Sequence, residues 1–326
     1  MPSSKRAAAP GAATMTHSRP NLNSGSVTLA SDPTSLPDQL QPPPGTDFAR
    51  EYDVSIRVPD FAGSLAAWGA RGKQVRAAHP AELDLRYGPA AAETLDLFLP
   101  AQGKGPHPLL VFIHGGFWKR LHKDDFSWIA PAFLKHGIAV AVVNYGLAPA
   151  TTLEEITAQT RRSIAWLYRK AEGYGIDNKR IVVSGHSAGG HLTCMAMATD
   201  WPALAPDLPR RLVAAGIALS PVVDLAPLAS VPALDADLDF NPERVATLSP
   251  ILLKPATDAP LLGAVGGKES AEFQRQLALL AHGWASVWKG AVAMPEDDHL
   301  TLCDAFARPD SALFSATVEF FDGLSN

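Results

Sequence analysis

An α/β fold with a mostly parallel central sheet is predicted by three observations. Short continuous apolar runs alternate with helix-like stretches from about residue 109 onward. Two alternating runs ahead of them read as an antiparallel hairpin. A serine flanked by glycines stands where one apolar run passes into a helical stretch.

The runs are LLVFI at 109–113, IAVAVV at 138–143, IVVS at 181–184, VAAGIAL at 213–219, LLGAV at 261–265 and SVWKGAV at 286–292. Apolar runs without alternation suit strands covered on both faces. Helix-like stretches lie near 124–136, 152–173, 188–199, 270–283 and 311–322. The opening hairpin is Leu83–Arg86 and Thr94–Leu99, turned by Tyr87-Gly88-Pro89. Phe61, Leu65, Trp68 and Val75 recur at a loose helical spacing before it. Residues 1–45, rich in Pro, Ser, Ala and Gly and closed by PPPG, are expected to be disordered or a draped arm, leaving one domain over 46–326. The Pro- and Asp-rich segment 224–248 is expected to form a small lid.

Composition narrows the function classes. The 326 residues are 47% apolar and 19% charged, ordinary for a globular chain. The net charge of −5 without a basic cluster speaks against nucleic acid as a partner. No run reaches the ~18 apolar residues of a membrane span, and the N-terminus is too Pro-broken for a signal segment. A cytoplasmic location is therefore expected, and a homodimer is left open. Two cysteines, Cys194 and Cys303, make no disulfide framework.

The chemistry-bearing residues fall at the carboxyl ends of the runs, where open α/β sheets place ligands. Gly185-His186-Ser187-Ala188-Gly189 is a G-x-S-x-G element between a strand and a helix. Its serine belongs at the apex of a strained turn, and the glycines two positions away let strand and helix pass closely. Ser187 is read as a nucleophile; a glycine-rich turn with a bystander serine is the bland alternative. His114-Gly115-Gly116-Phe117-Trp118 follows the run 109–113 and reads as the oxyanion loop. Gly116, Phe117 and Ala188 are assigned as N–H donors, with Gly115 a near alternative. Trp118 and Phe117 are read as pocket walls, with core packing the competing reading. His114 is read as structural. His186 is read as scaffold that also borders the pocket, and Tyr145 joins the pocket set.

A serine nucleophile needs a base and an orienting acid. His282 and His299 are the histidines that follow the run 261–265; His282 looks like a helix-end residue and His299 lies past the last strand, before an acceptor-rich loop. His299 is taken as the base. Glu269, after the run 261–265, is taken as the acid; Asp224, after the run 213–219, is the competitor. Asp258 precedes its strand, at the wrong end of the sheet, and Asp297 and Asp298 are read as solvated or structural. His191 shares a helix face with Ser187 and is read as packing.

HGGFW at 114–118, NYGLAP at 144–149, the Trp166-Leu167-Tyr168 stretch, GHSAGGHL at 185–192, VGGKESAEFQRQ at 265–276 and DDHL at 297–300 together resemble the kynurenine formamidase (arylformamidase) branch of the α/β hydrolases. Similarity to hormone-sensitive-lipase-like carboxylesterases is also visible. The likeness spans roughly 50–325 and implies an α/β-hydrolase fold, a Ser187–Glu269–His299 triad, no metal and no cofactor. Glutamate stands where that family usually has aspartate, and NYGLAP replaces the arginine-bearing version of the lipase-like branch. The expected substrate is a small carboxylic ester or an N-formyl amide. A general short-acyl or aryl carboxylesterase is the near alternative, and a non-catalytic binder on a hydrolase scaffold is the alternative of another class.

Overall fold

The computed structural model describes residues 38–101 and 105–325. Most of the N-terminal segment expected to be disordered, residues 1–37, lies outside the described residues. Its last stretch lies against the domain: Leu40 packs on the core and its carbonyl accepts a bond from Arg275.

Eight strands form one sheet in the order β1-β2-β4-β3-β5-β6-β7-β8. They are β1 (Ala81–Arg86), β2 (Thr94–Phe98), β3 (His107–Ile113), β4 (Ala139–Val143), β5 (Ile176–His186), β6 (Ala215–Leu219), β7 (Leu261–Gly266) and β8 (Trp288–Met294). The hairpin β1–β2 is antiparallel, β2 meets β4 antiparallel, and all other pairs are parallel. The apolar runs of β4 and β6 are buried throughout. Their side chains still alternate, as in β3: Leu109, Val111 and Ile113 enter one core layer, Leu110 and Phe112 the other. Helices Leu153–Lys170 and Ala188–Met197 cover the first layer; Ala312–Asp322 covers the second.

Three local expectations need correction. The run 286–292 is not covered on both faces: β8 is an edge strand whose residues alternate between partly buried and exposed. The stretch 124–136 is not one helix. It begins as a 3₁₀ segment, Lys123–Ile129, and turns α-helical at Ala130–Leu134, where Pro131 sits in the first turn and needs no N–H acceptor. And His299 does not precede a loop. It opens the helix His299–Phe306, whose N-cap Asp298 accepts bonds from the N–H groups of Leu300 and Thr301.

A closed charge cluster supports the hairpin end. The Lys123 ammonium is fully buried, 2.7 to 2.8 Å from carboxylates of Asp84, Asp96 and Asp124. Arg76 pairs with the same three residues. Among the described residues no helix is long and apolar enough to cross a membrane.

Candidate active site

Strand β5 runs straight into the serine. Ser187 takes φ 58°, ψ −117°, and the helix Ala188–Met197 begins at the next residue. Such a backbone is costly for a residue with a side chain and is held only where the surroundings over-determine it. Here they do. A Cβ at Gly189 would collide with the carbonyl of Ile113, so the helix lies directly on the end of β3. The new helix leaves its first N–H groups without intrahelical acceptors, aimed at the space in front of the serine.

The loop after β3 is folded just as tightly. A Cβ on Gly115 would lie 2.8 Å from the His186 carbonyl and 3.1 Å from Ser187 Cβ. Gly116, Phe117 and Trp118 all have positive φ, at 103°, 51° and 56°. This run turns the Gly116 carbonyl back onto the amides of Lys119 and Arg120. The N–H groups of Gly116 and Phe117 have no acceptor among the described residues. His114 and Tyr145 lie beneath the loop and stack at 4.2 Å, and the Tyr145 hydroxyl donates to the His114 carbonyl at 2.8 Å.

At the far end of the sheet, β7 delivers Glu269 and β8 delivers His299. Glu269 Oε2 lies 2.6 Å from His299 Nδ1. Its other oxygen, Oε1, accepts from Ser220 Oγ at 2.5 Å and from the Gly266 N–H at 2.7 Å. The carboxylate is thus fixed by two donors on one side and a ring on the other. The His299 ring is packed 4.5 Å from both the Phe273 and the His186 rings. His186 Nε2 donates to the His299 carbonyl at 2.8 Å. Burial and the charge of His299 push the His186 pKa well below its ordinary value, only partly offset by that bond.

Ser187, His186, His299, Gly116 and Phe117 share one cavity of about 20 Å³. Its outer walls are Val54, Phe61, Leu65, Trp68, Leu121 and Leu300, and Arg120 stands in its lining. No hydrogen bond joins Ser187 Oγ to the His299 ring among the described residues, a looseness common before substrate binds.

Not every residue expected here lines the cavity. Trp118 is fully buried against His191, with rings 5.0 Å apart and perpendicular, and it is core. Tyr145 braces the loop after β3 from below rather than lining the cavity. Asp224 is turned away into an ion pair with Arg275 at 3.0 Å. None of residues 224–248 lines the cavity; they back the loop after β3, where Lys119 donates to the Ala233 carbonyl and pairs with Asp237. The cover over Ser187 comes instead from the N-terminal residues 54–68. Sequence reasoning also missed Ser220. Its one signal was position: it directly follows β6, at the same sheet end as the motifs.

Among the described residues no cluster of three His, Cys, Asp or Glu could hold a metal ion. A model of the BD-FAE family matches residues 95–262, just over half of the chain. The chain belongs to the BD-FAE family. Curated relatives of this BD-FAE protein include the kynurenine formamidase of Danio rerio, 29% identical over 201 residues, 60% of the chain and 65% of that protein. The chain thus spans just under two thirds of that relative's length. Among solved structures, a Silicibacter sp. tm1040 protein assigned as a thioesterase superposes with TM-score 0.74 at 29% identity, over 83% of this chain and 98% of that one. Esterase B of Lactobacillus rhamnosis superposes with TM-score 0.64 at 21% identity, over 81% and 94%. The sheet order, the two antiparallel strands and these neighbours define an α/β-hydrolase fold.

Proposed function

We propose that this protein is a serine hydrolase that cleaves a small carboxylic ester or an N-formyl amide with Ser187, Glu269 and His299. The reading rests above all on one observation. A carboxylate and an imidazole joined at 2.6 Å end in the cavity that holds a strained, glycine-flanked serine.

The reaction has two halves. His299 takes the Ser187 proton as Oγ attacks the carbonyl carbon, and Glu269 stabilises the imidazolium that results. The negative charge on the carbonyl oxygen is met by the N–H groups of Gly116, Phe117 and Ala188. Collapse of the tetrahedral species expels the alcohol or amine, which takes its proton from His299. Water, deprotonated by the same ring, then releases the acid and restores Ser187. The small cavity supports a short acyl group: about 20 Å³ leaves room for roughly one water-sized body beside the hydroxyl. Formyl, the smallest acyl group, comes nearest to that size. The formamidase relative adds weight to the N-formyl amide, and the esterase fold neighbours keep short aryl esters as the second reading.

The test is a kinetic comparison of N-formyl-kynurenine with aryl esters of increasing acyl length. Efficiency is expected to fall steadily from formyl and acetyl to butyryl, and Ser187→Ala is expected to abolish turnover with the fold intact. Retained turnover in that variant refutes the assignment of the nucleophile.

A further inference from the structure

A second cavity of about 220 Å³ lies under the helix Leu153–Lys170 and beside the short helix Trp201–Leu204, and none of its lining residues borders the Ser187 cavity. Its walls are apolar and aromatic: Tyr87, Ala158, Ala165, Trp166, Leu204 and Leu208. Cations border it, and they differ in how they are neutralised. Arg162 pairs with Glu93 and Glu155, and Arg169 pairs with Asp207 at 2.7 Å. Arg161 has no carboxylate within ion-pair distance among the described residues. Its one hydrogen-bond partner is Thr199 Oγ1, 2.9 Å from Nε. The four N–H bonds on its two terminal nitrogens have no protein acceptor there.

The Arg161 side chain is half-buried, and its two terminal nitrogens are left to the solvent of the cavity rather than to a protein group. Burial draws its pKa down to about 10, which still leaves it fully charged at neutral pH. A bidentate anion is the partner a guanidinium fork fits best. The surrounding apolar area would cover a ring or short alkyl body, as in most small-molecule sites.

We infer that this cavity is a second binding site, separate from the Ser187 cavity, for a small aromatic or aliphatic carboxylate whose anionic end pairs with Arg161. It goes beyond the hydrolytic reading and does not depend on it.

The test uses the full chain, with 3-phenylpropanoate as probe and 3-phenylpropanamide as its uncharged counterpart. Binding is followed by calorimetry and by tryptophan fluorescence, since Trp166 lines the cavity. One molecule of the carboxylate is expected per chain. The amide, and the carboxylate on Arg161→Met, are expected to bind about tenfold more weakly or worse. Arg161→Lys is expected to recover part of the loss, and thermal unfolding shows that each variant is folded. Hydrolysis of an aryl acetate should not be competitively inhibited by the probe. No saturable binding up to millimolar concentration overturns the inference, as does equal binding to Arg161→Met. Competitive inhibition overturns it by moving the probe to the Ser187 cavity. Self-association of the wild type that Arg161→Met abolishes, without probe uptake, overturns it in favour of a second copy of the chain.

Discussion

Replacing Glu269 by glutamine changes one atom, and the hydrogen bonds around that side chain determine how the change reaches the serine. Oε1 receives two donors, Ser220 Oγ–H and the Gly266 N–H. In Glu269→Gln the amide oxygen must therefore occupy that side, because an NH₂ there would face two donors. The NH₂ group is left pointing at His299 Nδ1, 2.6 Å away in the wild type. It can only donate, so Nδ1 must become the acceptor and the ring proton must move to Nε2. A histidine protonated on Nε2 cannot take a proton from Ser187. Wrong-tautomer substitutions of this kind cost about 10⁴ in kcat elsewhere, which is about 5.5 kcal/mol of transition-state stabilisation. The assay is kcat/KM on an aryl acetate, with thermal unfolding to confirm an intact fold. Asp224→Asn serves as the control, expected to stay within a few-fold of wild type because Asp224 faces Arg275. Glu269→Gln activity within tenfold of wild type, or a large loss in Asp224→Asn alone, refutes the reasoning.

Further predictions concern the scaffold. Gly115→Ala places a Cβ 2.8 Å from the His186 carbonyl, so the loop must shift; kcat should fall about 10²-fold or more as an oxyanion donor moves, measured on the same ester. Lys123→Met leaves buried Asp96 with Arg76 as its one cation and the Asp84 N–H as its other donor, and should cost about 3–5 kcal/mol in urea unfolding; a loss under about 1 kcal/mol would show that the cluster is not coupled. His114 and His191 have pKa values lowered to about 4 by burial. The unfolded chain then binds more protons than the folded one below about pH 6.5, so their contribution to stability falls as pH drops from there to about 4, by up to about 3 kcal/mol each. Urea unfolding at pH 7 and pH 5 checks the slope, and His191→Gln should reduce it.

The strands were legible because their apolar runs are short and unbroken, and the elbow because glycine spacing and a strand-to-helix change coincide. The edge position of β8 was not legible. Trp288, Val292 and their neighbours look as apolar as a central strand, and nothing local says that no ninth strand pairs with this edge among the described residues or that the face of Lys289, Ala291 and Ala293 is left to solvent. The cover over the cavity was likewise hidden. Val54, Phe61, Leu65 and Trp68 precede the whole sheet in sequence, and nothing local says that their apolar side will fold over a serine more than a hundred residues away. Proline- and aspartate-rich composition drew attention to 224–248, but a segment that buttresses from behind has the same composition as one that covers from above. Tyr145 and Trp118 were placed near the right loop and on the wrong side of it, because sequence proximity to a loop carries no information about which face of it a side chain takes.

The bond from the His186 ring to the main chain at residue 299 has a mechanical consequence. It ties the segment bearing the serine to the segment bearing the imidazole by a cross-brace buried away from solvent. Neither can drift from the other unless a shielded N–H and C=O both lose their partner. Heat or denaturant should therefore release the two segments together, and loss of turnover on warming should track rupture of this tie rather than gradual loosening of either arm.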